Sequence, residues 1–356
     1  MLKKVFLLIA LYFLLPQIYF FFFSNLDDPI DTKSTRIQKN PYEDLQTYSL
    51  LKLAIHLHSN QNFFSFEKHS VEEISEQYSK KGYDSIVFTD YEKISYPTNQ
   101  FASKIPGYEW GHNFRKRHLL CIGSETVVSD PYYIFPTTQN LQRAISLMHN
   151  DGCFVTINHP NLFSGIPFEE LQKLHSYHAL ELISPYGDVI SLYDSILSKG
   201  IKTHLSAVDD LHYFSEETIR TFDQNILKTI FQHMTFSRGK EAQAFRRYIL
   251  IGSRNNTKEI VENLKKGNYL SVLKHSADLP DPEPPRIQFR NKVLKLQTKE
   301  KLLLVKVLGK QGKILKEWTD VTSVEFPYPV AEEYIRLEIY STFGVLYSNA
   351  IYKEFL

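Results

Sequence analysis

His56-Leu57-His58 is the first place along this chain where residue type and spacing point to chemistry. In an extended strand, side chains two residues apart project from the same face, so both imidazoles can reach one metal ion. The pair alone is a weak signal, because histidine is also an ordinary half-buried residue. The arrangement recurs as Asp210-Leu211-His212 after an apolar run at 205–208, and His159 closes another run in Asn158-His159-Pro160, with Glu109 and His118 between them. Unrelated core histidines have no reason to gather at strand ends. Neutral imidazole with carboxylate is the donor set that suits zinc, manganese or iron. One to three such divalent ions would lower the pKa of a bound water, hold a phosphate or carbonyl oxygen and offset transition-state charge.

Residues so far apart need a scaffold that brings strand ends together. From Leu51 onward, short apolar runs alternate with amphipathic stretches. Strands are predicted at 52–58, 86–89, 118–122, 154–158, 179–183 and 203–208, and helices at 71–81, 141–149, 168–174, 189–198, 223–233 and 256–266. Ser70 caps the first of these helices, with Glu73 three residues on and Gly82 past its end. The alternation predicts an α/β fold, a distorted parallel β/α barrel over residues 47–278, whose carboxyl strand ends are where barrels build sites. Four prolines in 278–285 mark a domain boundary. Alternating apolar residues at 302–308, 323–326 and 334–339 then predict a small C-terminal β-sandwich-like domain, 279–356.

The amino terminus carries Lys3 and Lys4 and then runs from Val5 to Phe23 without a charge, close to the length of a bilayer span. No A-x-A cleavage site follows. Residues 1–24 are therefore expected to be a membrane anchor and 25–46 a linker, with the bulk of the chain extracytoplasmic, or secreted if the segment is cleaved. The net charge is +1 with no block of like charge, which argues against a nucleic-acid partner. Cys121 and Cys153 are expected to be two small buried residues in neighbouring strands rather than a disulfide, although an oxidising compartment would permit the bond.

The order of motifs resembles the PHP (polymerase and histidinol phosphatase) superfamily over residues 50–275. Ile55-His56-Leu57-His58-Ser59 is similar to its first H-x-H strand, Ile86-Val87-Phe88-Thr89-Asp90 to its second strand, and Pro106-Gly107-Tyr108-Glu109-Trp110 to its glutamate motif. The His118 segment, residues 152–160 and residues 207–212 resemble the motifs that follow. Residues 259–269, with Tyr334-Ile335-Arg336-Leu337-Glu338 and Ser348-Asn349-Ala350-Ile351-Tyr352, resemble the CehA/McbA-like branch, which includes carbaryl-type ester hydrolases.

The resemblance implies a metal-dependent hydrolase that cleaves a phosphoester or related ester of a small molecule with a metal-activated hydroxide. His56, His58, Glu109, His118, His159, Asp210 and His212 would hold metal. Of the two catalytic candidates, Asp90 would support the site by orienting a histidine, and His118 would be a ligand or face the leaving oxygen. Two positions depart from the family. Tyr91 stands where the family has histidine, and the neutral Gln61-Asn62-Phe63-Phe64 replaces an expected ligand position. These departures motivate the alternative of a catalytically inactive, metal-binding envelope protein with a recognition or scaffolding role. His112, His175, His178, His204 and His233 are taken as ordinary residues. Arg115, Lys116 and Arg117 are read as a solvated loop that could attract an anionic substrate.

Overall fold

The computed structural model describes residues 2–23, 40–42, 50–61, 69–113, 115–131, 136–162, 165–214 and 244–353. The helix predicted at 223–233, His233 and residues 62–64 lie outside them.

The chain opens with helix α1 (Leu2–Phe23), then enters strand β1 (Leu50–Leu57), helix α2 (Val71–Lys80) and strand β2 (Ser85–Phe88). Helix α2 begins as expected: Ser70 accepts a hydrogen bond from the Glu73 amide at 3.2 Å. Strands β3 (Gly107–Trp110) and β4 (Leu119–Ile122), helix α3 (Thr138–Asn150), β5 (Phe154–Ile157), the short α4 (Phe168–Leu171) and β6 (Ala179–Ser184) follow. After them come β7 (Gly187–Asp188), α5 (Ile190–Leu197), β8 (His204–Ala207), β9 (Arg247–Gly252), α6 (Thr257–Lys266) and β10 (Tyr269–Lys274). The tail holds β11 (Arg286–Arg290), β12 (Val293–Leu308), β13 (Ile314–Pro327), β14 (Tyr334–Tyr340), β15 (Gly344–Ser348) and β16 (Ile351–Tyr352).

Among the described residues these strands form no closed parallel barrel, which corrects the expectation. One sheet runs β11-β12-β14-β15-β10-β9-β1-β2, with β13 on β12 and β16 on β14; a second runs β3-β4-β5-β6-β7, with β8 on β6. Only β1/β2, β5/β6 and β6/β8 pair in parallel, while β3/β4, β4/β5 and β1/β9 are antiparallel. The connection over residues 111–118 is too short for a parallel crossover, so β3 and β4 must run in opposite directions. The two sheets meet at two isolated parallel bridges, Leu57 with Leu211 and Tyr91 with Glu109. Both lie where β1, β2 and β8 end, so a shared mouth forms at the carboxyl ends of those strands.

Two irregularities aim side chains into that mouth. Leu53 and Ala54 of β1 pair with Ser85 and Ile86, but Leu57 pairs with Phe88, so β1 carries one residue more than its partner. Leu51, Leu53 and Ile55 pack in the apolar cluster between the sheets, whereas Ala54 and Leu57 pack together in another. The extra residue shifts the alternation by one, and His56 and His58 turn to the interior side. In β6, Glu181 and Ile183 pair with Ser206 and Ala207, a second one-residue bulge beside an acidic side chain.

The C-terminal strands do not close on themselves as a separate sandwich. β15 pairs with β10 from Leu270↔Ser348 to Lys274↔Gly344 and so extends the sheet that contains β1. Alternating apolar residues show that a strand has one buried face, not which sheet it joins. The junction is fastened by charge. Arg336 of β14 meets both carboxylate oxygens of Asp194 in α5 at 2.6 Å and Glu338 at 2.8 Å, all buried. The proline-rich segment is held where Asp281 meets Lys52 at 2.7 Å and Lys274 at 3.2 Å.

At the amino end, residues 40–42 are already packed, earlier than the expected linker boundary. The Tyr42 hydroxyl donates to the Tyr269 carbonyl at 3.0 Å and accepts from the Asn349 amide at 2.7 Å. Helix α1 has 22 residues. Counting described residues alone, no helix is long and apolar enough to cross a membrane. The expected anchor therefore rests on the uncharged run from Val5 to Phe23 in the sequence.

The cysteines correct another expectation, because Cys121 and Cys153 form a disulfide with Cα atoms 5.1 Å apart. Antiparallel pairing of β4 with β5, Cys121 against Val155 and Ile122 against Phe154, brings Cys153 beside Cys121, a register that a 32-residue separation does not reveal. Loop-closure entropy for that separation predicts that reduction, or Cys121→Ser with Cys153→Ser, lowers unfolding free energy by about 3–4 kcal/mol. Denaturant unfolding with and without reductant checks this; coincident midpoints would contradict it.

Candidate metal centre

His56 and His58 come from the bulged end of β1, Glu109 from β3, His118 from the residue before β4 and His159 from just past β5. Glu181 comes from β6, and Asp210 and His212 from the loop after β8. All eight side chains are buried, between 0% and 8% exposed. Main-chain bonds lace the strand ends together: the His58 amide to the Leu211 carbonyl at 2.9 Å, the Thr89 amide to the Leu57 carbonyl at 2.8 Å and the Glu92 amide to the Glu109 carbonyl at 2.8 Å. His159 and Asp210 have positive φ, 25° and 42°. Non-glycine residues hold such conformations only where surrounding structure over-determines them, a condition that clusters at functional sites.

The donor atoms converge. His56 Nε2 lies 3.2 Å from His58 Nε2, 3.2 Å from Asp210 Oδ1 and 3.5 Å from Glu109 Oε1. His58 Nε2 is 3.2 Å from Glu109 Oε2, and His212 Nε2 is 3.2 Å from Asp210 Oδ1. His118 Nδ1 lies 2.9 Å and His159 Nε2 3.6 Å from Glu109 Oε1. Four overlapping trios have ligand atoms within 4.8 Å of one another: His56-His58-Glu109, His58-Asp210-His212, Glu109-His118-His159 and His56-Glu181-Asp210. Glu109 Oε2 and Asp210 Oδ1 face these imidazoles yet make no hydrogen bond, as does His118 Nδ1 despite its proximity to Glu109. Buried carboxylate lone pairs aimed at imidazole nitrogens without hydrogen-bond geometry fit a divalent cation between them.

The electrostatics agree. Burial opposes a charge on His56, but the carboxylates of Asp210, Glu181 and Glu109 outweigh it and hold its pKa well above the usual value. His58, likewise buried, is pushed up to about 10 by the neighbouring carboxylates of Asp210 and Glu109. Burial alone would raise Glu109 and Asp210; the surrounding imidazoles instead hold both well below the carboxylate range. His118 is lowered to about 4, chiefly by burial. Without a metal, protons on His56 and His58 thus balance the carboxylates.

The structure brings together all seven ligands expected from sequence. Asp90 is different: its carboxylate does not join the trios, and its role is to hold the end of β1. It accepts from the Ser59 amide at 2.6 Å, the Ser59 hydroxyl at 2.7 Å and the Ser95 hydroxyl at 2.5 Å, directly after His58. Tyr91 stacks on His58 with ring centroids 4.9 Å apart and stands edge-on to His118 at 5.5 Å. His112, expected to be ordinary, lies at the mouth with its ring 5.3 Å from Tyr91. Arg117 is buried against Glu170 at 2.8 Å, so it cannot attract a substrate, whereas the charge of Lys116 reaches His112 and His118.

Glu181 was missed. Its Oε2 lies 2.9 Å from His56 Nδ1, which turns His56 Nε2 toward the mouth. The available signal was a carboxylate inside the otherwise apolar strand Ala179–Ser184. Tyr186 was also missed; its ring packs edge-on to His159 at 5.2 Å.

No protein-family model and no curated protein sequence matches this chain. Among solved structures it is similar to a two-domain protein from Bacteroides vulgatus containing a predicted PHP-like metal-dependent phosphoesterase. The identity is 14%, covering 89% of this chain and 99% of that one, with a TM-score of 0.44.

Neighbouring acids separate ligand from scaffold. Asp209 accepts from the amides of Phe245, Arg246 and Arg247 at 2.6, 3.3 and 3.0 Å and from the Tyr78 hydroxyl at 3.0 Å. Asp209→Asn turns an amide toward those donors and should cost about 1–3 kcal/mol of stability while the folded fraction keeps its metal. Asp210→Asn should lose metal. Elemental analysis and denaturant unfolding read both; equal effects of the two substitutions would remove Asp210 from the ligand set.

Metal ligation requires neutral imidazoles, so loading near pH 7 should displace the protons held on His56 and His58. Because both pKa values are raised, apparent affinity should rise with pH across the neutral range, about tenfold per unit for each proton displaced. Calorimetry in buffers of different ionisation enthalpy measures the proton count; zero protons released would contradict the assignment.

Proposed function

We propose that this chain is a metal-dependent hydrolase of the PHP type that cleaves a phosphoester or related ester of a small molecule. The observation that carries the reading is the buried convergence of His56, His58, Glu109, His118, His159, Asp210 and His212, with carboxylate oxygens left unpaired toward the imidazoles. When bound, one to three divalent ions of zinc, manganese or iron supply Lewis acidity, lowering the pKa of water and offsetting charge on the ester oxygen. The chain's own residues do the rest. Glu181 fixes the tautomer of His56, Asp90 holds the turn that presents His58, and Lys116 places positive charge beside the mouth, where an anionic ester would enter. The segments at 259–269, 334–338 and 348–352 favour the CehA/McbA-like branch within the superfamily.

The test is metal analysis of the purified chain followed by turnover of generic phosphomonoester, phosphodiester and carboxylic ester substrates. Metal-dependent turnover of at least one substrate, lost in His56→Ala with His58→Ala, is expected. A folded chain that takes up no metal under metal-replete conditions would overturn the proposal. Metal uptake with no turnover would favour the non-catalytic envelope protein, a reading motivated by Tyr91 packed on His58 and His118.

We place the chain outside the cytoplasm, tethered by residues 1–24. The uncharged run from Val5 to Phe23 supports the tether, and the Cys121–Cys153 bond supports an oxidising compartment. Removing residues 1–24 should shift the protein from the membrane pellet to the soluble fraction; continued sedimentation with membranes would show that another surface binds lipid.

A further inference from the structure

The residue before His159 is tied to the metal cluster as closely as His159 itself. Asn158 follows β5 directly and is buried. Its main-chain amide donates to the His118 carbonyl at 3.1 Å, which carries the β4–β5 ladder one step past the Leu119↔Ile157 pair. Its side-chain Nδ2 donates to Glu109 Oε1 at 2.8 Å. The chain then passes straight into His159, whose φ is 25°. One residue thus joins all three members of the Glu109-His118-His159 trio, through its side chain, its main chain and its place in the sequence.

The side chain is not buried for its own satisfaction. A carboxamide offers two donors and an acceptor, yet Asn158 Oδ1 has no hydrogen-bond partner among the described residues. The bond to Glu109 is left to offset the cost of taking this group out of water. An ionised carboxylate only accepts, so the amide nitrogen rather than its oxygen must face it. Glu109 needs such a hold. Its main chain is fixed on both sides, by its own amide to the Asp90 carbonyl at 3.2 Å and by the Glu92 amide to its carbonyl at 2.8 Å. The terminal torsion of a glutamate, however, is broad and roughly two-fold, so the backbone does not select which oxygen meets which histidine. The Asn158 bond does. It fixes Oε1, which lies 2.9 Å from His118 Nδ1 and 3.6 Å from His159 Nε2, and leaves Oε2, without a hydrogen bond, 3.2 Å from His58 Nε2.

We propose that Asn158 is a positioning residue of the metal centre: its side-chain amide orients the Glu109 carboxylate, so that one oxygen serves the His118–His159 side and the other the His58 side. The inference rests on the reading of this cluster as a metal site. Outer hydrogen-bond partners of ligands typically contribute 10–100-fold in metal affinity.

The test uses the full chain and zinc or cobalt(II) alone as probe. Asn158→Leu keeps the approximate shape and removes the donor; Asn158→Ala removes the donor with less bulk and serves if the first variant does not fold. Thr156, two residues earlier in β5, is equally buried and its hydroxyl has no partner, so Thr156→Val alters a buried polar group of the same strand without removing a bond to Glu109. Competition against a chromophoric chelator at fixed pH should show zinc affinity weakened about 10–100-fold in the Asn158 variants and unchanged in Thr156→Val. The visible cobalt(II) spectrum should change in the Asn158 variants, and zinc should raise their melting temperature by less than it raises that of the unmodified chain. Unaltered zinc affinity and cobalt spectrum would overturn the inference while leaving the metal site intact. A fall in melting temperature that is the same with and without zinc would also overturn it, because it would make Asn158 a packing residue, and so would an equal loss of zinc affinity in Thr156→Val. Absence of metal binding by the unmodified chain would instead overturn the proposed function on which this inference depends.

Discussion

Three buried carboxylates, those of Glu109, Glu181 and Asp210, converge on His56 at the mouth, and the structure depends on positive charge between them. Like charges taken out of water are tolerated only where cations or protons compensate them. His56 and His58 provide that compensation, holding protons at pKa values well above the usual range while Glu109 and Asp210 are depressed. A divalent cation satisfies the same demand with fewer, better-directed contacts. The cluster is thus held together by mutual neutralisation, and the same requirement makes it a receptor for metal.

Geometry follows from how the strands end. Each ligand-bearing strand is short and apolar below, so that Leu53, Ile55, Val87, Leu120, Phe154 and Ala179 pack in one cluster between the sheets beneath the charged layer. The two isolated bridges, Leu57 with Leu211 and Tyr91 with Glu109, join the sheets where the ligands are. A site built at such a seam draws from both sheets, which is why residues as distant in sequence as His56 and Asp210 come within 3.2 Å. Positive φ also occurs at this seam, at His159 and Asp210. Main-chain bonds at these residues, from the Leu162 amide to the His159 carbonyl at 2.8 Å and from the Leu211 amide to the His56 carbonyl at 3.2 Å, help to hold the backbone there.

Distant parts of the chain support the mouth rather than enter it. Tyr42 and Asn349 tie the amino-terminal segment and the last strands to Tyr269 at the far end of β10. Arg336 and Asp194 bind the C-terminal sheet to α5. A buried pair of this kind is costly to break, because either partner alone would leave an uncompensated charge. These fastenings make the C-terminal strands a continuation of the sheet that carries β1.

The sequence by itself determined which residues have the chemistry and which end of each strand they occupy. H-x-H at residues 56–58, His159 and the Asp-x-His at 210–212 were legible because a polar side chain that closes an apolar run is a local signal, whereas Glu109 and His118 were legible from the order of motifs. The boundaries of α2 and α6 were legible in the same way, from caps and periodicity within one segment, whereas α3 begins at Thr138, ahead of the expected 141. Only the tertiary structure decided what pairs with what. The antiparallel strands, the C-terminal extension of the sheet and the Cys121–Cys153 bond depend on register between segments far apart, and the same alternating pattern suits several partners. Glu181 became a functional candidate only because the fold sets strand β6 beside His56. The bulge in β1 belongs to both accounts: the sequence supplied two histidines on one face, and one extra residue in the ladder chose which side of the sheet that face would meet.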